Sequence, residues 1–262
     1  MFATLLHEIP LQGGDVTDGV VRVGDTVRRP ANTSTPAVHA LLRHLEAAGF
    51  DGAPRVLGMD EFGREILTFV PGRTGFRLES VTDEALVELA GLLRRYHDAT
   101  VGFPLTETRW GGGSNDDDLP EVIGHCDLTP ANVVLEPRSL VPYALIDFDL
   151  ARPTTRLFDV VTTLRHWAPI ADPVDRVPLL RTVDVGARLR LFCDAYGVAR
   201  RDRRRLLALA RLRFQRSYTV MRTRATAGGN WAKMWAGGAG ERIRRAAAWL
   251  DVHEDELHAH LV

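Results

Sequence analysis

Residues Val122 to Val161 read VIGHCDLTPANVVLEPRSLVPYALIDFDLARPTTRLFDVV. In this stretch His125-Cys126-Asp127 is followed by Asn132, five residues after the aspartate, and then by the apolar run Val133 to Leu135. Glu136 to Ser139 carries turn residues and Tyr143 to Ile146 is a second strand-like run, so the pattern predicts a hairpin. The second strand runs into Asp147-Phe148-Asp149. An aspartate, an asparagine and a second aspartate therefore converge at the hairpin's open end. A single Asp or Asn in a loop is ordinarily a turn former. That reading does not account for His125, Asp127, Asn132, Asp147, Asp149 and Asp159 in this order around one hairpin.

The chemistry that needs such a set is phosphoryl transfer. It asks for a carboxylate to receive the proton of an acceptor hydroxyl and for oxygen ligands that hold a divalent cation against phosphates. Asp127 fits the first role. Asn132 and Asp147 fit the second, with Asp149 supporting a metal-bound water or positioning the acceptor.

Upstream, the first third reads as strands and one helix. Val20 to Val23 and Thr26 to Arg29 flank Gly24-Asp25, a two-residue hairpin signal, and Pro30 ends the second strand. Thr35-Pro36 reads as a helix start with the Thr35 hydroxyl as cap, followed by Val38, Leu41, Leu42 and Leu45 at helical spacing and closed by Gly49. Pro54 to Met59 and Glu65 to Val70 are two more strands, and Pro71-Gly72 reads as a hinge. Beyond it the pattern turns helical: from Thr82 through His97, from Asp184 to Gly197, from about Arg201 to Ala225, and from Glu241 to Leu250.

Composition narrows the classes. Hydrophobic residues make up 45% of the 262, enough for a real core. With 33 basic and 34 acidic residues the net charge is -1, so the chain as a whole has no electrostatic reason to hold nucleic acid or a membrane. Cys126 and Cys193 are far apart and make neither a disulfide framework nor a zinc cluster. No stretch is apolar enough to span a bilayer and the N-terminus lacks a signal-peptide pattern, so a reducing cytoplasm is expected. Lys233 is the single lysine; every other basic residue is arginine.

The stretch resembles the aminoglycoside phosphotransferase and choline kinase-like superfamily, relatives of protein kinases, whose pattern is H-G/N-D-x-x-x-x-N followed by an apolar strand and I-D-F/W-D/E. Here His125, Asp127, Asn132, Ile146, Asp147, Phe148 and Asp149 occupy those places. Asp159 matches a further family aspartate that braces the catalytic loop. The resemblance implies a bilobal α+β, protein kinase-like fold, with a small β-rich nucleotide-binding N-lobe over 1–70 and a larger, mainly helical C-lobe over 71–262. It implies ATP or GTP with Mg2+ as cofactors, the nucleotide lying against Thr68, Phe69 and Val70, and the γ-phosphoryl group passing to a small-molecule hydroxyl. Aminoglycoside-type antibiotics, amino alcohols and sugars are equal candidates as acceptor. A chain that keeps the fold only to bind nucleotide, without catalysis, is the alternative.

Three departures from the family pattern matter. Cys126 stands where relatives carry glycine or asparagine. The N-lobe lysine that holds the α and β phosphates is missing; Arg28 or Arg29 stands in, alternation lets only one face the cleft, and Arg28 is preferred. The helix glutamate that would pair with that lysine is also missing, with Val38 or His39 in its place. The Gly13-Gly14 loop is short of a full glycine-rich fingerprint. Other features have plainer readings: His97 and His125 as structural histidines, Asp116 to Asp118 as a solvated loop rather than a cation trap, Trp231 and Trp235 as packing residues, and Arg200 to Arg205 as an exposed helix face.

Overall fold

The computed structural model describes residues 7–11, 19–75, 81–104, 110 and 115–262. The Gly13-Gly14 loop and Gly111 to Gly113 lie outside the described residues.

A tight turn at Gly24-Asp25, with Gly24 at φ 59°, joins β2 (Val21–Val23) to β3 (Thr26–Pro30). A backbone in this left-handed region is what glycine supplies without steric cost. β3 pairs antiparallel with β5 (Arg64–Thr68), setting Val27 opposite Leu67 and Arg29 opposite Glu65. β1 (Ile9–Pro10) and β4 (Val56–Met59) complete an antiparallel sheet in the order β1-β2-β3-β5-β4. Helix α1 (Thr35–Ala47) connects β3 to β4 and buries Val38, Leu41, Leu42 and Leu45. Its start differs from expectation: Ser34 is the N-cap residue, and the Thr35 hydroxyl turns back to accept from the Asn32 amide at 2.9 Å.

At Gly72 the chain leaves this sheet. The glycine has φ 146°, and a Cβ there would meet the Leu135 carbonyl oxygen at 2.6 Å, so only glycine fits. β6 (Arg73–Thr74) then pairs with β8 (Val133–Leu135), which forms the predicted hairpin with β9 (Pro142–Leu145). The Tyr143 hydroxyl donates to the Pro71 carbonyl and ties the hairpin to the crossing.

Helix α2 (Asp83–Ala99) begins as read, the Thr82 hydroxyl accepting from the Ala85 amide at 3.2 Å. β7 (Val122–Gly124) pairs with β10 (Arg152–Thr154), and α3 (Arg156–Trp167) follows directly. Then come α4 (Val185–Tyr196), closed by left-handed Gly197, and the long α5 (Arg200–Thr226). The last stretch is three helices rather than one: α6 (Gly229–Ala236), α7 (Ala239–Val252) and α8 (Glu254–Leu261). α6 has no buried residue, although Trp231, Met234 and Trp235 recur along it at helical spacing.

One core runs through both parts, from Leu41 and Leu45 of α1 through Leu86, Leu89 and Leu93 of α2 to Phe158, Leu164, Leu189 and Phe192. Each such fully buried side chain contributes roughly 1.5–3 kcal/mol. The result is the expected α+β arrangement: a small sheet-rich N-terminal part and a larger helical C-terminal part. Among the described residues no helix is long and apolar enough to cross a membrane.

Candidate active site

The loop after β7 is held from below. A Cβ on Gly124 would lie 2.4 Å from the Thr154 methyl and 3.0 Å from the Asp159 carboxyl carbon, so the strand passes close enough for Asp159 to reach its end. Asp159, fully buried at the start of α3, accepts from the His125 and Cys126 amides at 2.8 Å each. His97 of α2 adds a third contact at 3.0 Å through Nε2, and its Nδ1 meets the Tyr196 hydroxyl at 2.7 Å. Burial alone would raise the Asp159 pKa; the hydrogen bond and charge of His97, with His125 and the Cys126 amide, hold it below the usual value. The loop is thus tied to α2, α3 and α4.

His125 is structural, as read. Its Nε2 lies 3.0 Å from the Ile146 carbonyl, its ring packs on Phe148, and burial lowers its pKa so that the imidazole stays neutral. Cys126 is buried with φ 62°, which explains why glycine or asparagine suits this place. Burial raises its thiol pKa well above the ordinary value, so it is inert.

Asp127 and Asn132 form one unit. Asn132 Nδ2 donates to the Asp127 carbonyl at 2.8 Å and to its Oδ2 at 3.0 Å, while the Asn132 side-chain oxygen takes no hydrogen bond from any described residue. Burial, reinforced by the charge of Asp147, pushes the Asp127 carboxyl up to about 7; Arg213, the Asn132 hydrogen bond and Arg165 pull the other way. Trp167 Nε1 donates to the Leu128 carbonyl at 2.8 Å and fastens the residue after Asp127. Asp147 has left-handed backbone, φ 62°, and its side chain is partly exposed beside this pair.

Of the two candidate arginines it is Arg29 that reaches the site, which corrects the preference for Arg28. Arg29 shares the buried face of β3 and β5 with Glu65. Its Nη1 lies 3.2 Å from Asp147 Oδ1, its Nη2 pairs with Asp149, and its Nε lies 3.1 Å from Glu65 Oε1. The last contact is an ion pair by distance, without the alignment of a hydrogen bond. Burial would lower the Arg29 pKa, but Asp147, Asp149 and Glu65 together raise it, so its charge is permanent. Glu65 Oε2 is in turn 2.8 Å from His39 Nε2 on α1. Arg28 faces the other side of the sheet, towards Glu8, whose pKa is lowered chiefly by its hydrogen bond from Arg64 and least by Arg28.

Sequence reasoning had the place of His39 but not its partner, and it missed Glu65 altogether. The signal was the cross-strand register, which sets Glu65 directly opposite Arg29. Asp149 is committed to Arg29 and, at 3.3 Å, to Asn32 Nδ2. At the crossing between the two sheets the Phe69 amide donates to the Asp25 carbonyl and Arg22 covers the Phe69 ring at 3.8 Å; Thr68 is bonded to Arg55. Among the described residues no hydrogen bond uses the Val70 main chain.

Of the acidic run Asp116 is buried, while Asp117 and Asp118 are exposed as expected of a solvated loop. Asp116 accepts from the Thr155 hydroxyl, Asp117 pairs with Arg216 at 2.6 Å, and Asp118 pairs with Arg205. All three serve to dock α5 and the start of α3. Trp231 lies under Arg224 and Trp235 packs on Tyr218, both at the α5–α6 seam.

A carboxylate and an asparagine on a braced loop, a second aspartate at the hairpin end and a cation from the facing sheet define a phosphotransferase of the kinase-like class. Residues 113–207 match the phosphotransferase enzyme family, and the chain belongs to the aminoglycoside phosphotransferase and choline kinase-like superfamily. Over 203 residues it is 37% identical to the trifolitoxin immunity protein of Rhizobium leguminosarum bv. trifolii, covering 75% of this chain and 76% of that one. Its fold is that of a choline/ethanolamine kinase family protein from Mesorhizobium loti (TM-score 0.58, 17% identity, 95% and 90% of the two chains). It is equally like aminoglycoside 2'-phosphotransferase-IIIa, solved as a GDP complex (TM-score 0.59, 16% identity, 97% and 92%).

Proposed function

We propose that this protein transfers the γ-phosphoryl group of ATP or GTP to a hydroxyl of a small molecule, with Asp127 receiving the acceptor's proton. The observation that carries this reading is the single Asp127–Asn132 unit, held by Asp159 and facing Asp147. A carboxyl that titrates near neutrality suits a base that must take a proton and later give it up.

The donor set fits magnesium. The Asn132 side-chain oxygen accepts no hydrogen bond from any described residue and the Asp147 carboxylate is partly exposed, two hard oxygens of the kind that hold Mg2+ alongside phosphates and water. Bound there, the metal would offset the negative charge of the phosphate oxygens. Asp127 aligns the acceptor oxygen for in-line attack, and Arg29 presents a guanidinium fork to the α and β phosphates, exchanging its hold on Asp149 for them. Glu65 and His39 keep Arg29 at that place throughout. Thr68 to Val70, where the Val70 main chain has no hydrogen-bond partner among the described residues, receives the base of the nucleotide.

The test is magnesium-dependent transfer from γ-labelled ATP and GTP across a panel of hydroxyl acceptors. It should be lost in Asp127→Asn; transfer at the wild-type rate in that variant would overturn the assignment. Because a relative is named for immunity to trifolitoxin, antibacterial compounds with a free hydroxyl belong in the panel. One observation favours a second reading, that of a non-catalytic nucleotide-binding protein: Arg29 already neutralises Asp147 and Asp149. Thermal stabilisation by nucleotide with no turnover on any acceptor would support it.

A further inference from the structure

Beside the negative charge of Asp147, Asp127 meets positive charge from α3 and α5. Arg213 of α5 donates through Nε to the Thr162 hydroxyl of α3 at 3.1 Å. Arg165, three residues further along α3, lies on the same face as Thr162, its guanidinium 5.4 Å from the centre of the Phe214 ring. Trp167, two residues beyond, is bonded to the Leu128 carbonyl, so this end of α3 is anchored to the residue that follows Asp127. Both guanidiniums act on the Asp127 carboxylate, and Arg242 at the start of α7 adds its charge to theirs.

The contrast within α5 is sharp. Arg203, Arg205, Arg211 and Arg216 each pair with an acid: Asp194, Asp118, Asp251 with Glu254, and Asp117. Arg213, Arg165 and Arg242 form no ion pair among the described residues. Arg165 and Arg213 are partly out of water, and of the carboxylates that act on Arg213, Asp159 is already taken up by His97 and two amides, so positive charge is in excess beside Asp127, which costs stability. Its field is visible on the neighbours: burial first, then Arg213, bring Arg165 down to about 9, and burial with Arg165 and Arg213 takes His166 to about 3.

We propose that Arg165 and Arg213 bind an oxyanion, phosphate or carboxylate, carried by the acceptor whose hydroxyl faces Asp127, so that the substrate is an anionic hydroxy compound and not a polycation. This rests on the phosphotransfer reading of the site. Two guanidiniums at this place would repel a polycation, and the acidic run beyond them pairs with Thr155, Arg216 and Arg205. Guanidinium forks match both kinds of oxyanion, and desolvation strengthens the match.

Two measurements test it. In the first, thermal unfolding is followed with the nucleotide site saturated by Mg-ADP, adding inorganic phosphate or acetate against chloride at equal ionic strength. The melting temperature should rise with phosphate, or with acetate if the group is a carboxylate, in the wild type and in Arg165→Lys, but not in Arg165→Gln. Without any added anion Arg165→Gln should melt higher than the wild type, because a like charge has been removed. A lower melting temperature in that variant, or no anion effect in the wild type, would overturn the proposal whether or not any transfer is found.

In the second, transfer is compared between matched acceptors: glycerol 3-phosphate and glycerate against glycerol, with kanamycin as the polycation. The anionic partner should be favoured by roughly tenfold or more in kcat/KM. Equal or better transfer to kanamycin would sink the anion site while leaving phosphotransfer intact. Absence of transfer to every acceptor, alongside a phosphate effect on melting, would sink phosphotransfer and leave the anion site.

Discussion

The two sides of the cleft are built by different rules. On the C-terminal side the loop that carries Asp127 hangs from Asp159, whose two oxygens accept main-chain amides from His125 and Cys126, and the spacing of these residues was legible in the sequence, with Cys126 the departure from the expected pattern. On the N-terminal side nothing matches residue for residue. Where the pattern leads one to expect a lysine, Arg29 is the cation that reaches Asp147 and Asp149, and the glutamate beside it is Glu65 of the adjacent strand, not one from the helix. The helix contributes His39 to hold that glutamate. A loop bound through its own main chain demands one acceptor at one place; a cation near phosphates demands only a positive charge held at the right distance, which several side chains can supply.

The largest effect should come from cutting the loop's support. Asp159→Ala leaves two buried amides and His97 without their acceptor, and a loss of about 3–5 kcal/mol in denaturant unfolding is expected. A loss below about 1 kcal/mol would mean that the loop is held by something else.

Next comes Asp127→Asn, which should stabilise while it inactivates. The folded pKa of Asp127, about 7, lies above the ordinary carboxyl value of 3.8. The folded protein therefore binds this proton more tightly than the unfolded chain does. The stability it contributes is complete below pH 3.8 and is lost as pH rises through 7. Asparagine cannot ionise, so the variant should match the wild type at pH 4 and exceed it at pH 8, by on the order of 2 kcal/mol after relaxation and water are allowed for. Equal unfolding curves at pH 8 would place Asp127 in a better solvated setting than its burial indicates.

On the opposite side, Glu65→Gln should loosen Arg29 and raise the KM for nucleotide by roughly tenfold, with a smaller change in kcat. His39→Gln, which can still hydrogen-bond Glu65, should have a milder effect of the same kind. If both variants leave the KM unchanged, Arg29 is positioned by Asp147 and Asp149 alone. The smallest change is expected for Cys126→Gly: relief of the left-handed backbone and loss of a buried thiol oppose one another, and stability should move by less than about 1 kcal/mol.

Much of this molecule was written in short-range pattern. Gly24-Asp25 specified a hairpin, Thr82 a cap, Gly197 a helix end, and the spacing of Asp127, Asn132, Asp147 and Asp159 a site, because each depends on neighbours a few residues away or on one hairpin. The short α6, with no buried face, left a weaker trace in Trp231 and Trp235, one turn apart.

The remainder was decided by tertiary structure. Whether Arg28 or Arg29 faces the cleft follows from strand register. Glu65 becomes a partner only because β5 lies beside β3, and Asp117 and Asp118 meet Arg216 and Arg205 only because α5 crosses that loop. The sign of the charge around Asp127 belongs here too, since Arg165 and Arg213 come from two helices that meet beneath it. The sequence by itself determined which chemistry this chain is equipped for, since a catalytic loop is a local object. Only the folded protein could determine what that chemistry faces, because unpaired charge arises from which distant side chains are brought together and which are left over.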